Sequence, residues 1–240
     1  MGTQVTFGPR TKGTQQQGDL MSTQRDSYGH TLWLMLLLLV AVCASAEDLQ
    51  ILTEQAEAGV AGAQINLGKW HSAKTNHVEA IKWFRKAAEQ GDAEGQRCLG
   101  WMYSNGEGVP QDYAEAITWF RRAAEQGDAA AQNILGQMYA DGVGVLKDNV
   151  EALKWFHMAA EQGAVEALYN IGQIYFNSGG VRKHYAEAAK WFAKAAEQGS
   201  ADAQHNLAVM YFNGWGVPQD NVAAYAWHSV AATAGDESDS

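Results

Sequence analysis

The chain has 240 residues, 47 % of them hydrophobic, with nine tryptophans and three prolines. That composition excludes wholesale disorder and favours helices. The formal charge is −10, and residues 47–240 hold 14 basic against 25 acidic residues, a net of −11. A field of that sign repels phosphate backbones, so no nucleic-acid partner is expected.

Taken in order, residues 1–30 are rich in Gly, Gln and Thr, lack hydrophobic periodicity and read as unstructured. Leu32 to Ala46 forms a 15-residue apolar run, short for a membrane-spanning helix. It ends Ala44-Ser45-Ala46 before Glu47, the small-x-small arrangement of a signal-peptidase site. Residues 1–46 are therefore read as an N-terminal extension with a secretory signal, cut after Ala46. On this reading the mature chain is periplasmic or secreted and meets the membrane only transiently. Met21 competes with Met1 as the start and would leave a 26-residue signal with Arg25 as its positive charge. An uncleaved anchor is the competing reading, while a lipoprotein reading of Cys43 is opposed by Val42. Once the signal is removed Cys98 stands alone, so packing and not a disulfide must hold the domain. No Asn-x-Ser/Thr acceptor occurs, which favours a bacterial envelope over a eukaryotic secretory lumen.

From residue 47 a repeat governs the chain. Trp-Phe followed by Ala-Ala-Glu-Gln-Gly occurs at 83–91 and recurs at 119–127, 155–163 and 191–199, with a worn copy at 227–235. Trp83, Trp119, Trp155, Trp191 and Trp227 are thus spaced by 36 residues, a period that marks stacked repeats. Residues 47–59 read as a capping helix. The units are Val60–Gly91, four residues short in its loop, then Asp92–Gly127, Asp128–Gly163, Ala164–Gly199 and Ser200–Gly235. Residues 236–240 form an acidic tail.

In the unit 92–127, Asp92 is an N-cap for a first helix to about Ser104. Asn105 to Pro110 breaks it. Asp112 with Glu115 predicts a capping-box start for a second helix. There Ala116, Trp119, Phe120, Ala123 and Ala124 form an apolar stripe. Gly127, like Gly91, Gly163 and Gly199, predicts a left-handed C-terminal cap. Gly100, Gly136 and Gly172, with Ala208 in the last unit, are expected to admit close helix approach beside each buried Trp. Stacking of neighbouring units must complete the core, because one unit cannot bury its own ring.

Leu99, Gly100, Tyr103, Gly106, Gly108, Val109, Asp112, Ala116, Trp119, Ala123, Ala124 and Gly127 together resemble the Sel-1-like repeat, a relative of the tetratricopeptide repeat. The resemblance covers about 175 residues in five tandem copies. Departures are Ser178 for a loop glycine, His184 for Asp in the fourth unit, and the shortened first loop. The resemblance implies an all-α fold, a right-handed α/α superhelical solenoid of about five 36-residue helix-turn-helix repeats. It also implies a concave face and an adaptor role in protein–protein contacts, with some bacterial relatives exported and linked to envelope functions or host interaction.

Chemistry finds little purchase. None of the seven histidines pairs at metal-ligand spacing, so no metal or cofactor is expected. His157 and His228 follow their tryptophans and fit a polar surface or an edge of the stack. His71 replaces the first-helix Tyr. Gly106-x-Gly108, Gly142-x-Gly144 and Gly214-x-Gly216 lack the Gly-Lys-Ser/Thr ending of a phosphate loop. Residues 141–148 carry too few spaced carboxylates for an EF-hand. No Gly-x-Ser-x-Gly occurs, and Cys98 has no evident base, so no enzyme is expected. Some cysteine-rich relatives are associated with β-lactam binding or hydrolysis; their paired cysteines are absent here.

Docking candidates lie where the copies disagree. First helices line the inner face of tetratricopeptide-like stacks, and a non-core stripe on them reads Glu94, Arg97, Trp101, Ser104, then Ala130, Asn133, Gln137, Ala140. It continues Glu166, Tyr169, Gln173, Phe176, then Asp202, His205, Val209, Phe212. Arg97, Trp101, Asn133, Gln137, Tyr169, Gln173, Phe176, His205 and Phe212 are the partner-binding candidates, since aromatics and arginine are enriched at interface hot spots. The competing reading packs Phe176 and Phe212 on loops and Trp101 on a neighbour. No capping helix follows Ala224-Tyr225-Ala226-Trp227, which leaves the last repeat open to self-association. An exported adaptor for a protein or peptide leads; a β-lactam-related envelope enzyme and a self-assembling array are the alternatives.

Overall fold

The computed structural model describes residues 46–177 and 182–236. The expected signal segment, Ser178 and the acidic residues after Asp236 lie outside them. The chain divides into two units, Met1–Glu54 and Gln55–Ser240. In the first, the described residues 46–54 are helical; the second carries all the repeats.

Among the described residues there are eleven helices and no strand. After α1 (46–57) come α2 (Ala61–Ala73) and α3 (His77–Glu89), then α4 (Ala93–Asn105) and α5 (Tyr113–Glu125), then α6 (Ala129–Asp141) and α7 (Asn149–Glu161). The series ends with α8 (Val165–Asn177) and α9 (Arg182–Glu197), then α10 (Ala201–Asn213) and α11 (Asn221–Asp236). The pairs α2–α3 to α10–α11 are the five predicted helix-turn-helix units. Each second helix also packs on the first helix of the next unit. First helices of adjacent units meet at α2–α4 and α6–α8, and no comparably close pairing joins adjacent second helices among the described residues. First helices therefore form the inner, concave layer of the α/α solenoid.

Helix ends follow from their caps. Asp92 and Asp128 accept from the amides of Gly95 and Ala131 at 2.8 and 2.7 Å. Asp112 caps α5 by accepting from Ala114 and Glu115, both at 3.0 Å. The expected capping box is only half formed. The Asp112 amide donates instead to the Tyr103 carbonyl at 2.9 Å, because the loop folds back onto α4. Glu115 is thereby released, and its Oε1 accepts from Trp119 Nε1 at 2.9 Å. At the other end, Gly127 (φ 93°) lets its own amide and that of Asp128 close on the carbonyls of Ala124 and Ala123.

The core corrects one expectation. Phenylalanine, not tryptophan, is the buried pivot: Phe120, Phe156 and Phe192 are fully buried, whereas Trp119, Trp155, Trp191 and Trp227 are only partly so and Trp83 alone is buried. The first-helix glycines make room for that ring. A Cβ on Gly68, Gly100, Gly136 or Gly172 would fall 2.6, 2.9, 2.7 or 2.7 Å from Phe84, Phe120, Phe156 or Phe192 respectively. The four repeat tryptophans other than Trp83 rim the core, and three of the five carry a cation on the ring face, with Lys86 over Trp83, Arg122 over Trp119 and Lys194 over Trp191 at 3.9–4.5 Å. An indole with a polar edge suits that half-wet position, and a phenyl ring suits the dry one.

A buried polar row ties consecutive units together. Gln64, Gln96, Gln132 and Gln204 are buried, and each donates Nε2 to a carbonyl of the preceding second helix or of α1: Ala56, Ala88, Ala124 and Ala196 at 3.0–3.4 Å. The Oε1 atoms of the first three accept from Gln90, Gln126 and Gln162 at 2.7–2.8 Å. These are the glutamines of the Ala-Ala-Glu-Gln-Gly ending. Their constancy is thus a hydrogen-bonding demand, since a buried amide without partners is costly.

Candidate docking face

Two grooves open on the inner layer, and α6 forms a wall of each. The first has a volume of about 490 Å³ and is lined by Phe84, Trp101, Met102 and Ile134, with Lys69 and Arg97 among its polar lining. Phe84 and Met102 belong to the buried core, so the floor is set by packing, whereas Trp101 is 52 % exposed. Its indole therefore offers apolar surface that the fold itself does not use. The second groove, about 520 Å³, is lined largely by polar side chains from α6, α8 and the start of α10, among them Asn133, Gln137, Tyr169 and Asn170. A smaller recess of about 150 Å³ lies beside Gln137 and Gln173.

The predicted stripe thus divides. Arg97 and Trp101 come together in the first groove, and Asn133, Gln137 and Tyr169 in the second. Gln173 donates to the Tyr169 hydroxyl, and Asn170 Nδ2 donates to Asn133 Oδ1 at 3.0 Å across adjacent units. Phe176 does not join them. It packs on Tyr185, Phe192 and Trp215, with ring centroids 5.3–6.2 Å apart, because the loop aromatic Trp215 of the next unit closes over it. His205 and Phe212 are exposed on α10 and line neither groove; the His205 ring lies 5.8 Å from His228.

Arg97 has a second task. Its Nε donates to Asp128 Oδ2 at 3.1 Å, Nη2 lies 3.6 Å from Glu94 Oε1, and the same Glu94 oxygen receives Lys69 Nζ at 2.6 Å. This chain of ion pairs links α2, α4 and the N-cap of α6 along the groove. The hydrogen bond from Lys69 holds the Glu94 carboxyl below the usual glutamate value against the opposing effect of partial burial. Cys98 lies in the same wall, and burial pushes its thiol above the ordinary cysteine value. A thiol desolvated in this way is a packing group and a poor nucleophile.

Sequence reasoning missed Ile134, Asn170 and Gln198 in these grooves. Ile134 and Asn170 sit one position beyond the stripe, in a column that reads Cys98, Ile134, Asn170, Asn206. Its drift from apolar to amide was the available signal. Gln198 was hidden inside the constant Ala-Ala-Glu-Gln-Gly ending.

Among the described residues there is no cluster of three or more His, Cys, Asp or Glu placed to hold a metal ion, and no helix long and apolar enough to cross a membrane. The described chain matches solved structures of repeat solenoids. It is 43 % identical to a protective antigen present in uropathogenic Escherichia coli strains that displays an SLR fold, with a TM-score of 0.73 over 79 % of this chain and 41 % of the antigen. It is 35 % identical to a Sel1 repeat protein from Oxalobacter formigenes, with a TM-score of 0.69 over 74 % of this chain and 75 % of the other. The ERAD-associated E3 ubiquitin-protein ligase component HRD3A of Arabidopsis thaliana is 34 % identical over 67 residues, which are 26 % of this chain and 10 % of HRD3A. The chain therefore spans about two fifths of the antigen and a tenth of HRD3A. The family model described as Sel1 repeat matches residues 61–92, 93–128, 129–163, 165–200 and 201–236, which coincide with the five helix pairs. With the phenylalanine–glycine pivots and the glutamine ties recurring along those same stretches, the chain belongs to the Sel1 repeat family.

Proposed function

We propose that the protein is an exported, non-catalytic scaffold that docks a protein or peptide partner on its concave face. The observation that carries this reading is Trp101. It lies on the non-core side of an inner-layer helix, is half exposed, and lines an apolar groove that no residue of the described chain fills. Interface hot spots are enriched in such aromatics set in desolvated pockets. Lys69, Glu94 and Arg97 provide the polar rim that usually surrounds such a centre. Export rests on the apolar run and the Ala-Ser-Ala ending before Glu47. The test compares wild type with Trp101→Ala as bait for an envelope fraction, together with their thermal melts. A partner retained by wild type and lost by the variant, at matched melting midpoints, supports the scaffold. Equal capture by both refutes it.

A second reading, self-association through the last repeat, is favoured by Tyr225. It is 75 % exposed, whereas its counterparts Ile81 and Ile117 are buried. Concentration-dependent light scattering that Tyr225→Lys abolishes would establish it; a monomer at all concentrations would dismiss it.

A further inference from the structure

The two grooves differ in chemistry, and the second identifies a class of ligand. Resting on the concave face as the docking face, we propose that the second groove takes an extended peptide segment bearing lysine or arginine. Side-chain amides read its backbone, and Glu166 and Asp202 receive its cations.

The amides come first. Asn133 and Asn170 are joined by one hydrogen bond, which leaves Asn133 both N–H donors and Asn170 its carbonyl. Gln137, exposed, adds a third side-chain amide to the same lining. A carboxamide offers a donor and an acceptor side by side, the pairing that an extended backbone presents to a neighbouring strand.

Gln198 singles this groove out. In the first three units the corresponding residues, Gln90, Gln126 and Gln162, are consumed by Gln64, Gln96 and Gln132. In the fourth unit the position of that acceptor is Leu168, which has no side-chain oxygen. Gln198 is exposed and lines the second groove. The unit that loses its internal tie is the one that turns an amide toward open space.

Charge fixes the ligand's sign. Glu166 and Asp202 line this groove and no Lys, Arg or His does, in contrast to the first groove with Lys69 and Arg97. The lining runs from α6 across α8 to α10. At about 10 Å between adjacent helices and about 3.3 Å per extended residue, that width accommodates about six residues of peptide.

The test pans a random-peptide display library against the purified protein and measures the selected peptides, made synthetically, by fluorescence anisotropy. The variants are Gln198→Ala, the pair Glu166→Gln with Asp202→Asn, and Trp101→Ala. All four positions are exposed or partly so, and unchanged melting midpoints verify the fold. Enrichment of Lys and Arg, with a loss of about tenfold in affinity for the carboxylate pair and weakening by salt, supports the proposal. A loss of several-fold for Gln198→Ala supports the amide reading. Binders without basic residues, or binders weakened by Trp101→Ala and by neither groove variant, overturn this inference and leave the first groove as the docking site. An absence of any binder overturns the inference and the docking face together.

Discussion

Phe156 Cδ1 lies 2.7 Å from where a Cβ on Gly136 would stand. Two opposing effects meet there. Alanine in a helix interior is favoured over glycine by about 1 kcal/mol, while an extra methyl forced against a fully buried ring costs about 1–3 kcal/mol. The contact is with the ring of a residue that cannot swing out, so overpacking prevails. Gly136→Ala is expected to destabilise the array by about 1–2 kcal/mol, and Gly136→Ala with Phe156→Leu to recover much of it. The last unit supplies the precedent, since Ala208 replaces the glycine there and the exposed His228 replaces the phenylalanine. A double-mutant cycle in urea measures the coupling; a value near zero would show the close approach to be unimportant.

Trp and Phe are neighbours in sequence but not equals in the core. Phe156→Ala removes a fully buried ring and should cost about 3–5 kcal/mol. Trp155 is half-buried, and its Nε1 has no hydrogen-bond partner among the described residues, so Trp155→Ala should cost less than half as much. Urea unfolding of both variants decides it. A larger loss at Trp155 would restore tryptophan as the pivot.

That pair also shows how much the sequence makes legible. The 36-residue period, the N-cap aspartates and the glycine ends were readable, because each rests on local chemistry repeated from unit to unit. Which of two adjacent aromatics lies inward was not readable. Trp and Phe fall one position apart on the same stripe, and only the rotation of the helix against its neighbours separates them. The same difficulty met the stripe of docking candidates. Trp101 and Phe176 share a face by periodicity, but the loop residue Trp215 from a later unit covers one and nothing comparable covers the other. The glutamine row was missed because its hydrogen bonds join residues 26–30 apart.

The short first loop carries a local strain. Thr75 has φ 58°, the sole positive-φ residue other than glycine among those described, in a turn whose amides close on Ser72 and His71. A β-branched residue is disfavoured in that region by about 1–2 kcal/mol, whereas asparagine tolerates it. Thr75→Asn should therefore raise stability by about 1 kcal/mol and leave partner binding unchanged. A melting midpoint equal to or below that of wild type would contradict this.

At the other end the glutamine row is incomplete. Gln204 Nε2 donates to the Ala196 carbonyl at 3.1 Å, but its buried Oε1 receives no donor among the described residues. In units one to three that donor is the glutamine before the terminal glycine, and in the last unit the position is Ala234. A buried acceptor left alone costs about 1–3 kcal/mol, and a made hydrogen bond returns about 0.5–1.5 kcal/mol net. Ala234→Gln should restore the tie and stabilise the last unit by about 1 kcal/mol, which for a chain of this size is about 2–4 °C in melting midpoint. The gain should vanish when Gln204 is first changed to Leu, because the acceptor is then gone. If Ala234→Gln stabilises equally in the Gln204→Leu background, the effect is helix propensity and the row of glutamines is not what ties the units.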